Sequence, residues 1–245
     1  MDITDCSVFF GSYPKRYVDG DIDNVSKVMK ENGIGRAIVC SLIGVTYDYR
    51  AGNRETLSAA QAHPWMIPAA TVNPLKFTGD YGEFAAMKEA GFSILRLVRE
   101  HQGWPIDFMP TRLVFECAAK AALPVAISTH ELGDLTKLAR QLEGIDIPVI
   151  ASNVYYSSFS EAIVVGQRCD RLYFDVQRLN GPHTIEVFVE QLGTHRLVYG
   201  SNTPFDCVLS SLLLVQKAHI GEECRRQILS GNIEKIIAGH SCGAY

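Results

Sequence analysis

Several polar residues in this chain interrupt or end runs that are otherwise apolar, and they are the first candidates for chemistry. Arg96 stands inside Ile94-Leu95-Arg96-Leu97-Val98. A guanidinium in an apolar strand is costly unless it is paired. It can be neutralised by a carboxylate such as Asp5 or Asp175, or it can wait for a carboxylate ligand, which arginine grips with two parallel hydrogen bonds. Arg99, close behind, offers a second cation. Ser128 and His130 end the run from Pro124 to Ile127 and are two residues apart, so an extended strand aims both to one side. His130 is a candidate displaced catalytic base, and Asp175, at the end of Leu172-Tyr173-Phe174, a further catalytic candidate; the plain alternative for His130 is a loop histidine without a role. A His101, His130 and Asp175 metal trio has no i, i+2 or i, i+4 spacing to support it. Cys207 follows Asp206 near a helix start, where a thiol is activated, but no histidine partner is evident. Tyr155, Tyr156, Trp104 and Phe108 fall where they can wall a pocket or pack as lids.

These residues need a frame. Helical segments repeatedly end in glycine just before an apolar run: KENG then IGRAIVCS, KEAG then FSILRLV, QLEG then IDIPVIAS, QLG then THRLVYGS. Gly33, Gly91, Gly144 and Gly193 therefore sit where a helix end needs a left-handed residue. The runs are continuous rather than alternating, as in strands buried on both faces of a parallel sheet. Eight are predicted, starting near Ile3, Arg36, Met66, Phe92, Pro124, Pro148, Arg171 and Arg196. Asp21 and Asp80 can cap helices, Pro182 suits a first helical position, and an apolar helix after Asp206 closes at Gly221. A last helix runs from Glu222 to Ala238. Eight βα units in 245 residues predict an α/β fold, a TIM (β/α)8 barrel, as a single domain over 1–245. An open doubly wound sheet is the rival, but no Gly-x-Gly-x-x-Gly follows the first strand.

A barrel keeps its chemistry at the C-terminal strand ends. Those ends carry Asp5, Ser7 and Phe9 on one parity of the first strand, Cys40 or Ser41, Asn73, Arg96, Ser128 to His130, Ser152 and Asn153, Asp175 and Gln177, and Ser201 and Asn202. Composition bounds the partners. Lys and Arg number 23 against 27 Asp and Glu, a net charge of −4, with 47% hydrophobic residues. That balance argues against nucleic acid and against a polybasic membrane face. The most apolar stretch, Val208 to Val215, is broken by Ser210 and Ser211 and too short to span a bilayer. No secretory leader is visible, and seven scattered cysteines without a Cys-x-x-Cys pattern read as reduced thiols of a cytoplasmic protein.

Six segments together resemble the amidohydrolase superfamily, specifically amidohydrolase-2 type TIM-barrel metal-dependent hydrolases and decarboxylases. They are ITDCSVFFG, AGFSILRLV, ALPVAIST, IPVIASN, RLVYGSNTPF and LSGNIEKIIA, in the family's order. The resemblance implies a metal held by two first-strand histidines, histidines ending strands five and six, and a strand-eight aspartate that also takes a proton from water. The matching positions here read Ser7, Phe9, Ser128, Asn153 and Asn202. Hydroxyls and amides are weak donors for zinc and Phe9 is none. The expectation is therefore a barrel without metal or cofactor and of altered or degenerate activity, with His130 and Asp175 as catalytic candidates. Arg96, Ser128, Asn153, Asn202 and Ser7 would contact a small, anionic ligand. The alternatives are a barrel that binds without turnover and a regulatory or structural subunit; self-association as a homo-oligomer is left open.

Overall fold

The structure, a computed structural model, describes residues 2–239. Eight parallel strands follow one another in chain order: β1 Ile3–Phe10, β2 Ile34–Ser41, β3 Met66–Ala70, β4 Ile94–Leu97, β5 Val125–Ser128, β6 Val149–Ser152, β7 Leu172–Asp175 and β8 Leu197–Val198. The ring closes where Cys6 N–H donates to the Tyr199 carbonyl (2.9 Å) and Val8 bridges Thr203 in parallel. Helices between the strands make this a TIM barrel, as the sequence pattern predicts. Every predicted strand start lies within two residues of an observed one. Gly33, Gly91, Gly144 and Gly193 all have positive φ. Among the described residues, no helix is long and apolar enough to cross a membrane.

Continuous apolar strands bury both faces, and two clusters result. Val8, Val39, Leu95, Val125, Val149 and Phe174 pack outward against the helices. Cys6, Phe9, Ile38, Ile67, Ile94, Ala126, Ile150, Tyr173 and Val198 fill the barrel. β1 breaks its alternation: the register against β2 shifts between Asp5 and Val8. This bulge puts Cys6 and Phe9, three residues apart, both in the interior cluster. Strict alternation therefore fails at Cys6, while Ser7 and Phe9 still share one side, both meeting the Arg96 guanidinium.

The helix Asn232–Ile237 packs into the barrel. Ile233 and Ile236 join the interior cluster. The predicted helix from Glu222 is one body of three parts, Glu222–Arg226, a π-helical turn at Gln227–Gly231, and Asn232–Ile237. Asn232, fully buried, donates from Nδ2 to the carbonyls of Thr194 and Leu197, each at 2.8 Å. Asn232→Ala would leave both carbonyls without that donor and is expected to cost about 1–3 kcal/mol, measured by urea unfolding.

Asp21 and Asp80 cap their helices as expected, accepting from Asp23 and Gly82 N–H. Two helix boundaries differ from expectation. The helix after β7 is Thr184–Leu192, with His183 rather than Pro182 next to it, because His183 has left-handed backbone (φ 55°) and the helix cannot extend back through it. The helix after Asp206 is Val208–Lys217, and Gly221 precedes the next helix rather than closing this one.

Candidate functional site

A cavity of about 340 Å³ opens at the C-terminal strand ends. Phe9 lies at its base, and the segment after β4 supplies Glu100 and His101. His130 follows β5, Asn153 and Tyr155 follow β6, Arg178 follows β7, and Asn202 and Phe205 follow β8. Tyr13 and Arg16 arrive from the loop after β1. That loop is clasped at its root: Gly11 N–H donates to the Gly20 carbonyl (2.7 Å), and a Cβ on Gly20 would fall 2.3 Å from the Gly11 oxygen.

Glu100 is the residue sequence reasoning passed over. Its carboxylate accepts from the Ser128 hydroxyl and from Asn153 Nδ2 (3.3 Å). No described Lys, Arg or His lies within ion-pair distance of it. Asn153 also accepts from Gln177 Nε2. Asn153 and Asn202 both have left-handed backbone, φ 63° and 59°. Asparagine tolerates that region better than most side chains. Asn202 donates to Asp206 (2.8 Å), which also pairs with Arg178 (2.6 Å). His101 Nδ1 lies 3.3 Å from the Tyr13 hydroxyl, and its ring tilts against Tyr13 and Phe205. Burial holds its imidazole below the usual histidine range, although the Glu100 charge pulls it upward.

Beneath this mouth lies a second, closed layer. Arg96, 3% exposed, donates to the Cys6 carbonyl and to Ser7 Oγ (3.2 Å), with its guanidinium 5.5 Å from the Phe9 ring centre. Asp5 and Asp175 are fully buried. Asp5 Oδ1 accepts from Ser7 N–H (2.9 Å) and Ser201 N–H (3.0 Å), which closes β1 onto the segment after β8. Burial pushes the Asp5 carboxyl up to about 7; hydrogen bonds from Ser201 and Ser7 pull it back and the charge of Asp175 adds to the rise. Burial likewise raises Asp175 to about 6, against the Gln177 N–H and the Arg96 charge. Gly200 is required here: a Cβ would sit 2.5 Å from an Asp175 oxygen.

The sequence candidates thus divide by depth. Asn153, Asn202 and His130 line the cavity, and Ser128 reaches it through Glu100. Ser7, Arg96 and Asp175 lie in the closed layer and line none of it. Arg99 is not a mouth cation. It is buried against Asp134, whose carboxylate also accepts the His130 and Glu131 N–H groups and so shapes the turn after β5. Of the aromatic candidates only Tyr155 lines the cavity; Trp104 and Phe108 pack with the core and Tyr156 is exposed. Cys207 is exposed and lines a different hollow.

No protein-family model matches the chain, and no curated protein does. Solved structures do. Among those with the same eight-stranded barrel is 5-carboxyvanillate decarboxylase from Sphingomonas paucimobilis. It matches with a TM-score of 0.78 at 11% identity over 97% of this chain and 99% of that one. A candidate 2-pyrone-4,6-dicarboxylic acid hydrolase from Pseudomonas putida gives 0.77 at 15% identity, covering 97% of each chain. A dihydroxybenzoic acid decarboxylase from Polaromonas, solved with manganese and an inhibitor, gives 0.76 at 12%, again over 97% of each. At these identities the likeness is one of fold.

Proposed function

We propose that the chain is an amidohydrolase-type barrel of the hydrolase or decarboxylase class. It takes a small, flat carboxylate ligand at the mouth and works without a bound metal. The supporting observation is Glu100, a carboxylate with no cationic partner among the described residues, converging with Ser128 and Asn153 at the edge of the cavity. It is the group placed to accept a proton from a ligand hydroxyl or a water. Phe9, Tyr13, Tyr155 and Phe205 supply flat apolar walls, while Arg16 and Arg178 supply positive charge for a carboxylate. His130 and Asn202 complete the polar lining.

The strand ends do not suit a divalent cation. Arg96 brings a positive charge within 3.2 Å of Ser7 Oγ. Phe9 covers that guanidinium, Ser128 is committed to Glu100, and Asn202 to Asp206. The barrel neighbours act on or bind carboxylated aromatic and pyrone rings, by their names, and that chemistry fits this cavity's walls.

A second reading, binding without turnover, is favoured by the way the mouth's polar groups satisfy one another, as Gln177 does Asn153 and Asp206 does Asn202. A panel of small aromatic and pyrone carboxylates, screened by thermal shift and then for CO2 release or ring opening, separates the two. Turnover that Glu100→Gln abolishes while binding persists supports the catalytic reading, with a loss of about 10²–10⁴-fold for a general base. Binding without turnover in the unaltered protein selects the second. Failure of every carboxylate to bind overturns both.

A further inference from the structure

Away from the mouth, three side chains that no step above uses come together. His183 and Glu186 are three residues apart at the start of the Thr184–Leu192 helix. His219 comes from the connection after the Val208–Lys217 helix. One ligand atom from each lies within 4.8 Å of the others. His183 Nδ1 is 3.9 Å from Glu186 Oε1, and the two imidazole centres are 6.3 Å apart. Among the described residues it is the one group of three His, Cys, Asp or Glu side chains that converges in this way.

The chemistry of the set is specific. Two neutral imidazoles and one carboxylate are the donors a borderline divalent ion prefers, and a fourth position is left for water. Donors in a tetrahedral zinc site stand about 2.0–2.2 Å from the ion, so the three must draw somewhat closer than they are. Both imidazoles are exposed and can turn. The carboxylate is already held in place: Glu186 Oε1 accepts the His219 N–H at 2.8 Å and lies 3.9 Å from His183 Nδ1. An outer-shell hydrogen bond of this kind orients a ligand before the ion arrives. The trio borders a hollow of about 420 Å³ that shares no lining residue with the mouth cavity. Lys217 is the one cation on its wall, carried on a flexible stem.

We propose that His183, Glu186 and His219 bind one zinc-like divalent transition-metal ion, which clips the start of the helix after β7 to the connection after the β8 helix. The site is independent of the reading given to the mouth. An ion that binds only the folded chain stabilises it by mass action, so the clip is structural and regulates how firmly these two segments are joined.

The test is calorimetric titration of tag-free, chelator-stripped protein with zinc chloride, paired with thermal unfolding. One zinc per chain is expected, at micromolar affinity or tighter, with a higher Tm. His219→Ala and Glu186→Gln should each weaken uptake by at least about tenfold and remove the Tm rise. His183→Asn, which suits the left-handed backbone, should do the same without loss of the fold. His63→Ala and His195→Ala should titrate as the unaltered chain. Uptake only at millimolar zinc, or uptake that the three substitutions leave unchanged, overturns the proposal.

Discussion

Asp5→Asn is expected to stabilise the protein above pH 7 and to do little at pH 4. Asp5 is fully buried, and its carboxyl is raised from 3.8 to about 7 by that burial. Below pH 4 the folded and unfolded chains both hold the proton, and the group contributes nothing. Between pH 4 and 7 the unfolded chain releases it while the folded chain keeps it, so the folded state binds more protons and stability falls as pH rises. Above pH 7 the full penalty is present, on the order of 4 kcal/mol for a shift of this size. Asparagine keeps an oxygen for the Ser7 and Ser201 N–H groups and cannot ionise. The difference in unfolding free energy between Asp5→Asn and the unaltered chain, measured in urea at pH 4.5 and pH 8, should grow with pH by a few kcal/mol. A difference that is the same at both pH values would remove Asp5 as a titrating group. Asp175, raised to about 6, leaves a loss of the same sign in the variant, smaller in total because it is confined to about pH 4–6.

The second large effect concerns Arg96. Its guanidinium serves the Cys6 carbonyl and Ser7 Oγ at the β1 bulge, and its charge lowers the Asp175 carboxyl. Arg96→Ala would remove these together and open a void beneath Phe9. A loss of about 3–5 kcal/mol is expected, the range for breaking one side of a buried charged network. Arg96→Met fills most of the space without the charge and should recover a good part of that loss. Urea unfolding of both variants decides the matter. A stability change under about 1 kcal/mol in the alanine variant, with ligand binding impaired instead, would place Arg96 as a ligand clamp rather than a strut; typical surface changes are about that small.

Why some of this was readable in sequence and some was not follows from how far apart the determinants lie. Strand starts and the caps at Asp21 and Asp80 are local, set by apolar runs and by the nearest N–H groups. Asn153 and Asn202 were legible as polar strand ends. The inward turn of Cys6 is not legible because the bulge arises from pairing with β2, and nothing in ITDCSVFF announces it. Glu100 was overlooked beside Arg99 and His101. Its role depends on Ser128 and Asn153, 28 and 53 residues away. Arg99 drew notice as a cation, but its partner Asp134 is 35 residues on. A glutamate following an apolar strand and its arginine was the available signal. The helix start at Thr184 was missed because nothing in Gly181-Pro182-His183-Thr184 announces the left-handed backbone at His183.

The Gly11–Gly20 clasp has a bearing on how the mouth could diversify. With its two ends fastened, the arm carrying Tyr13 and Arg16 is closed off from both β1 and the Ile22–Glu31 helix. Residues could be inserted into that arm at small entropic cost, since doubling a loop costs only about 0.6 kcal/mol. Swapping or lengthening it would therefore rewrite one wall of the cavity while the barrel beneath stayed as it is.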